Sequence, residues 1–218
     1  PIMSAAAEAS VARLAKGIGR GVDLYAEMIT ATFEVISQVT FSDGGSFDRD
    51  AVHRAIEAYI GQTARVSLLD IIGAPGWIPR PHRVFGASGM GELKRLADAA
   101  INARRDSGPK ALPDLLDLLL AAEDPASGRK MSTAELRDNL LTFIVAGHET
   151  TALTLSWALY LCAFDPRVQA EAQTEARALL GNRVATAADL AQLPLTRRIV
   201  DEALRLYPPA AFLSRTAI

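Results

Sequence analysis

Glu149 and Thr150 are adjacent in the chain and follow Ala146-Gly147-His148. A carboxylic acid beside an alcohol can relay protons from water to a bound ligand, provided a ligand can reach them. Gly147 hints at such a place. Glycine inside a helix costs about 1 kcal/mol relative to alanine, so a use for it is worth seeking. One use is close approach of a flat ligand to the backbone, where a side chain would collide. Thr150 follows Ala146 by one helical turn, so its hydroxyl can bond back to that carbonyl and bend or open the helix. The plain alternative is a contact of small residues between helices, with Glu149 reaching solvent. His148-Glu149 also begins the H-E-x-x-H pattern of zinc proteases, but Ala152 stands where the second histidine is required. His53 and His82 have no ligand spacing.

Two further groups bear weighing. Glu202 and Arg205 are three apart, on one face of a helix, where an exposed ion pair contributes only about 0.2–0.5 kcal/mol. Cys162 is the single cysteine. It excludes an internal disulfide framework and fits a reducing compartment. It follows Tyr160-Leu161 within a helical run, lacks a glycine-rich loop, and reads as an inert core thiol.

Helical periodicity dominates the elements that must carry these residues. Helices are expected over 2–16, 22–41, 48–69 and 84–106, with Pro75, Gly76, Pro79 and Pro81 forming a rigid connector. Pro113 suits the first position of a short helix to Ala122. Ser132-Thr133-Ala134-Glu135 is a capping box. The helix it opens meets no breaker but Gly147 until Asp165-Pro166, about 32 residues or ~48 Å at 1.5 Å per residue. Its stretch from Leu140 to Leu161 is apolar almost all round, as in a helix buried within a body. His148 and Glu149 at its centre argue against a membrane span. Pro166 starts the next helix, Thr186 to Gln192 makes a turn, and Pro194 starts a last helix ended by Pro208-Pro209. Residues 211–218 read as a strand without a partner. That strand and the opening Pro1 suggest a chain cut at both ends.

The 218 residues are half hydrophobic, enough for one domain with a sizeable core. A net charge of -2 gives no electrostatic reason to expect nucleic acid. The glycine groups at Gly17–Gly21 and Gly86–Gly91 follow no strand and carry no dinucleotide fingerprint.

Ala146-Gly147-x-Glu149-Thr150-Thr151 in a long helix, Asp165-Pro166 at its end, and Glu202-x-x-Arg205 in a short helix ending Arg205-Leu206-Tyr207-Pro208-Pro209 come in that order. Together they resemble the cytochromes P-450, loosely over the whole chain and closely over 132–218. The resemblance implies a mainly α fold, with residues 1–218 forming one truncated helical portion of such a domain. It implies haem b and a monooxygenase that hydroxylates a small apolar organic substrate with dioxygen. Electrons would come from a ferredoxin or a flavoprotein reductase.

By the same resemblance, Ala146 and Gly147 face the distal side of the haem, and Glu149 and Thr150 are the acid–alcohol pair that delivers protons. Arg215 matches the arginine that pairs with a haem propionate. Glu202 and Arg205 join a later arginine in a buried network. Val145, Ala210, Ala211, Phe212 and Leu213 are candidate substrate contacts. No metal ligand lies in the chain. The F-x-x-G-x-x-x-C loop that supplies the thiolate is expected beyond residue 218, and Cys162 cannot replace it. The early W-x-x-x-R helix is also missing, since neither Trp77 nor Trp157 fits it. The segment alone is therefore expected not to bind haem through thiolate or to turn over, and to expose apolar surface.

Helices 48–69 and 84–106 resemble the family's mobile lid, which varies with substrate. An arginine- and alanine-rich composition suggests a soluble bacterial, cytoplasmic protein. The alternative is a non-catalytic all-helical ligand-binding module, which explains neither Gly147 nor the ordered motifs. The preferred reading asks for an open notch at Gly147 and an inward Glu149. A plugged notch with Glu149 in bulk solvent counts against it.

Overall fold

The computed structural model describes residues 2–41, 51, 54, 55 and 87–211. The expected helix 48–69, the proline-rich connector and the terminal strand lie almost wholly outside the described residues. Among those that are described, the chain is helical, without a named strand. It forms two compact units, one of residues 1–36 and 146–218 and one of residues 37–145. No helix among the described residues is long and apolar enough to cross a membrane.

The first unit opens with α1 (Ile2–Ala15). The helix ends at Gly17, whose N–H donates to the Leu14 carbonyl at 2.9 Å. A Cβ on Gly17 would come within 2.5 Å of Val22 Cγ2, so glycine is what lets the chain turn back here. α2 (Leu24–Phe41) begins one residue after Asp23, whose carboxylate accepts from the Ala26 N–H at 3.0 Å. Arg13 ties the two helices, its guanidinium reaching Glu27 at 2.8 Å and Glu34 at 3.1 Å. Met28, Ile29 and Ala152 form a buried cluster on which Leu14, Leu24 and Leu155 pack.

The second unit contains α3 (Ala87–Ser107) and α4 (Leu115–Ala121). Leu93, Ala97 and Ile101, spaced by four, are buried along α3. Arg104 continues that stripe and is buried too. Its guanidinium makes a two-pronged bond to Asp114, at 2.8 and 2.9 Å, and an ion pair to Asp117 at 2.8 Å. Pro113 does not start α4 as expected. Asp114 caps the helix by accepting from the Asp117 N–H, and Asp117 accepts in return from the Asp114 N–H. A reciprocal cap of this kind outcompetes a proline two residues before the first helical position.

The long helix α5 (Thr133–Phe164) runs unbroken for 32 residues, beginning in the second unit and continuing in the first. Its capping box forms as expected. The Glu135 N–H donates to Ser132 Oγ at 3.3 Å, and the Ser132 N–H and hydroxyl both donate to Glu135 at 2.8 Å. Arg129 adds two bonds to the same carboxylate.

α6 (Pro166–Leu180) is capped by Asp165, which accepts from the Arg167 and Val168 N–H groups. Residues Ala187–Gln192 form a 3-10 helix rather than a simple turn. Thr186 gives both its N–H and its hydroxyl to Asp189, and Arg183 grips the same carboxylate at 2.6 and 2.7 Å. α7 (Pro194–Leu206) has no side-chain cap of its own. Glu175 on α6 takes that role, accepting from the Leu195 and Thr196 N–H groups at 2.7 and 2.9 Å.

Candidate functional site

The middle of α5 carries most of the residues singled out by type and spacing. Hydroxyl side chains recur there, and each turns its proton back onto its own helix. Thr150 donates to the Ala146 carbonyl at 2.7 Å, Thr154 to the Thr150 carbonyl at 2.9 Å, and Ser156 to the Ala152 carbonyl at 2.7 Å. The back-bond at Thr150 is the one expected from its spacing. The expected opening of the helix is not seen, because α5 stays α-helical through Gly147. Side-chain back-bonds add to the ladder without breaking it.

Ala146 and Thr150 are exposed, Gly147 and Glu149 half-buried, and His148 buried. That sequence of exposures follows from the 3.6-residue turn, which sends residues two apart to roughly opposite sides. His148 points into the first unit. Its ring meets Phe33 edge to face, with centroids 6.0 Å apart. Its carbonyl accepts a hydrogen bond from Thr32 Oγ1 at 3.0 Å.

The notch at Gly147 is not open as expected. A Cβ there would lie 3.2 Å from Ile36 Cδ1 and 3.5 Å from Cγ1, so the space is filled by a side chain of α2. The glycine is used for close approach of two helices. Glu149 is half-buried rather than in bulk solvent, so one of the two conditions set against the reading is met and the other is not.

Glu202 and Arg205 pair on α7 through two bonds of 2.7 Å each, with side chains 51% and 66% exposed. This is the plain surface pair of the first reading. Arg205 lowers the Glu202 pKa and Glu202 raises that of Arg205, each through their hydrogen bonds. Among the described residues this pair joins no buried network. Val145 is half-buried in the second unit, while Ala210 and Ala211 are exposed. Phe212, Leu213 and Arg215 lie outside the described residues. Cys162 is half-buried, and burial, with Asp165 nearby, pushes its thiol pKa up. It is therefore a poor thiolate. No cluster of His, Cys, Asp or Glu among the described residues could hold a metal.

Sequence reasoning missed Thr32, Phe33 and Ile36, which hold the back of the site, and an aromatic ladder beyond it. Trp157 stacks on Tyr207 with centroids 4.0 Å apart and planes 8° from parallel. Tyr160 meets Trp157 edge-on at 5.5 Å. The ladder thus joins α5 to the residue that ends α7. Leu24, Tyr25, Leu153, Ser156, Trp157 and Tyr160 line a largely apolar cleft of about 430 Å³. Phe143, Tyr160 and Phe164 expose much of their surface, as does Leu206, in line with the expected apolar exposure.

Comparison with known proteins bears on this helix. The family model described as Cytochrome P450 matches residues 1–218. Cyclooctatin synthase of Streptomyces melanosporofaciens is 31% identical over 197 residues, covering 90% of this chain and 43% of that protein. The bifunctional cytochrome P450/NADPH–P450 reductase 2 of Bacillus subtilis (strain 168) is 29% identical, over 88% of this chain and 18% of its own length. The crystal structure of the cytochrome P450DA heme domain superimposes with a TM-score of 0.75 at 28% identity, covering 93% of this chain and 44% of that one. The chain thus spans less than half the length of these relatives.

Proposed function

Since the chain belongs to the cytochrome P450 family, we propose that the whole protein is a haem-dependent monooxygenase, with the Ala146–Thr150 face of α5 as its distal wall. The observation that carries this reading is the pairing of Ala146 and Thr150. They are exposed on successive turns, continuing the exposed stripe that Asp138 and Thr142 begin, one offering only a methyl group and the other a hydroxyl whose proton is held. A flat apolar ring fits against such a face. The fit does not run through Gly147, whose open side is taken by Ile36.

When bound, haem b supplies the oxygen chemistry: two electrons and two protons consume dioxygen, one oxygen entering an apolar organic substrate and the other leaving as water. The chain's own residues manage the protons. Glu149, half-buried on α5, can exchange protons with water and turn them towards the open face. The Thr150 hydroxyl rests with its proton on the Ala146 carbonyl, which leaves its lone pairs free to accept from a donor beyond the helix. To donate outward it must release that carbonyl, at a cost of about 0.5–1.5 kcal/mol. This is small enough to be crossed on every turnover, yet it keeps the hydroxyl oriented between turnovers.

Val145, Ala210, Ala211, Phe212 and Leu213 are proposed to meet the substrate, Arg215 a haem propionate, and a ferredoxin or flavoprotein reductase to deliver electrons. The relative from Bacillus subtilis carries its reductase in the same chain, which supports the last of these. The filled notch at Gly147 is equally what a non-catalytic ligand-binding module would show, but the family match over residues 1–218 favours the enzyme.

The test uses the full-length, haem-loaded protein. Thr150→Ala and Glu149→Gln should retain haem and substrate binding but release a larger share of reducing equivalents as peroxide. Unchanged yield of product per reducing equivalent in both variants refutes the assignment.

A further inference from the structure

We propose that Thr32 of α2 is a positioning residue, whose buried hydroxyl clamps the His148 carbonyl and so fixes the rotation of α5 that keeps Ala146 and Thr150 on the open face. Its functional consequence rests on the role proposed above for that face.

Thr32 is buried within the first unit. Its hydroxyl has one proton and three carbonyls in range: Met28 at 2.8 Å, Ile29 at 3.2 Å and His148 at 3.0 Å. The first two belong to its own helix and would satisfy a threonine that touched nothing else. The third belongs to α5 and ties it to α2. A valine would fill the same volume among these apolar neighbours without a polar atom to bury. The hydroxyl is therefore informative.

The clamp is placed where rotation matters. Ala146 and Thr150 stand two residues before and after His148, each about 200° around an α-helix from it. Holding the backbone at 148 from one side thus presents 146 and 150 on the other. Ile36, one turn beyond Thr32, fills the space beside Gly147, and Phe33 braces the His148 ring. Hydroxyl, methyl and ring act on consecutive residues of α5 from one face of α2. Packing alone tolerates small rotations, and a hydrogen bond to one carbonyl adds a directional restraint.

The test compares Thr32→Val, which keeps the shape and deletes the donor, with Thr32→Ser, which keeps the donor and trims the shape, in full-length haem-loaded protein. Amide hydrogen exchange over peptides spanning 146–152 is read by mass spectrometry, alongside product formed per reducing equivalent. T32V should exchange about tenfold faster there, the size expected of one buried hydrogen bond, and should lose at least half its coupling. T32S should match the parent in both. Thr32→Cys, a weaker donor of similar size, should fall between, and it replaces T32V should that variant not accumulate.

Parental exchange in T32V overturns the clamp. So does T32S behaving like T32V, which would make the effect one of packing. Faster exchange with unchanged coupling overturns the positioning role. Should the parent protein lack monooxygenase activity, the functional reading fails while the exchange arm still decides whether the clamp exists.

Discussion

Gly147→Ala is the perturbation that most directly questions how α5 is seated. In an isolated helix the change would stabilise by about 1 kcal/mol, because alanine loses less backbone freedom. Here the new methyl would sit 3.2 Å from Ile36 Cδ1 and 3.5 Å from Cγ1. The first distance demands that Ile36 yield by a few tenths of an ångström, and the second is ordinary contact. Overpacking of this kind costs about 1–3 kcal/mol, so the net effect should be a loss of about 0–2 kcal/mol. Ile36→Val removes Cδ1 and alone should cost about 0.5–1.5 kcal/mol. In the double variant the added methyl occupies the vacated space. Gly147→Ala should then become stabilising by about 1 kcal/mol, a coupling of about 1–3 kcal/mol between the sites. Urea unfolding of the four proteins, followed by circular dichroism, measures it. An equal effect of Gly147→Ala in both backgrounds would mean that Ile36 does not fill the notch.

Two other outcomes follow from the charged groups. Arg129, and then the Ser132 N–H and hydroxyl, lower the Glu135 carboxyl from 4.5 to about 2. A depressed carboxylate stabilises above its unfolded pKa and ceases to as pH falls through the folded one. Exchange protection of the first turn of α5 should therefore weaken between about pH 4.5 and 2, and Glu135→Gln should flatten that dependence. Arg104→Met strands two buried carboxylates, Asp114 and Asp117, and should cost about 3–5 kcal/mol. A melting temperature close to the parent's would contradict that burial.

The elements were legible where the determinants are local. Ser132 and Glu135 are three residues apart, and Asp165-Pro166 and Pro194 fix helix starts through φ and capping. Pro113 misled because Asp114, with Asp117 returning the bond, is the stronger signal one residue later. Thr186 and Asp189 make a similar pair around a turn too short to show periodicity. At the site, the Thr150 back-bond could be read from the i−4 spacing. The partners of Gly147 and His148 could not. Thr32 is 116 residues from His148, and a threonine in an apolar helix carries no mark of the carbonyl it will meet. The glycine correctly announced a close approach, but a single chain cannot say whether a ring or a neighbouring helix makes it. Glu202 and Arg205 show the converse, since the motif is plain while the pair is exposed in this segment.

The central claim is that the Ala146–Thr150 face of α5 borders the haem's ligand-binding side. Carbon monoxide affinity of the reduced, haem-loaded, full-length protein tests it, comparing the parent with Ala146→Phe. The account predicts that a ring at 146 leaves haem content unchanged and weakens carbon monoxide binding by at least about tenfold, a loss of ~1.4 kcal/mol. Binding as tight as the parent's would place this face elsewhere and contradict the account.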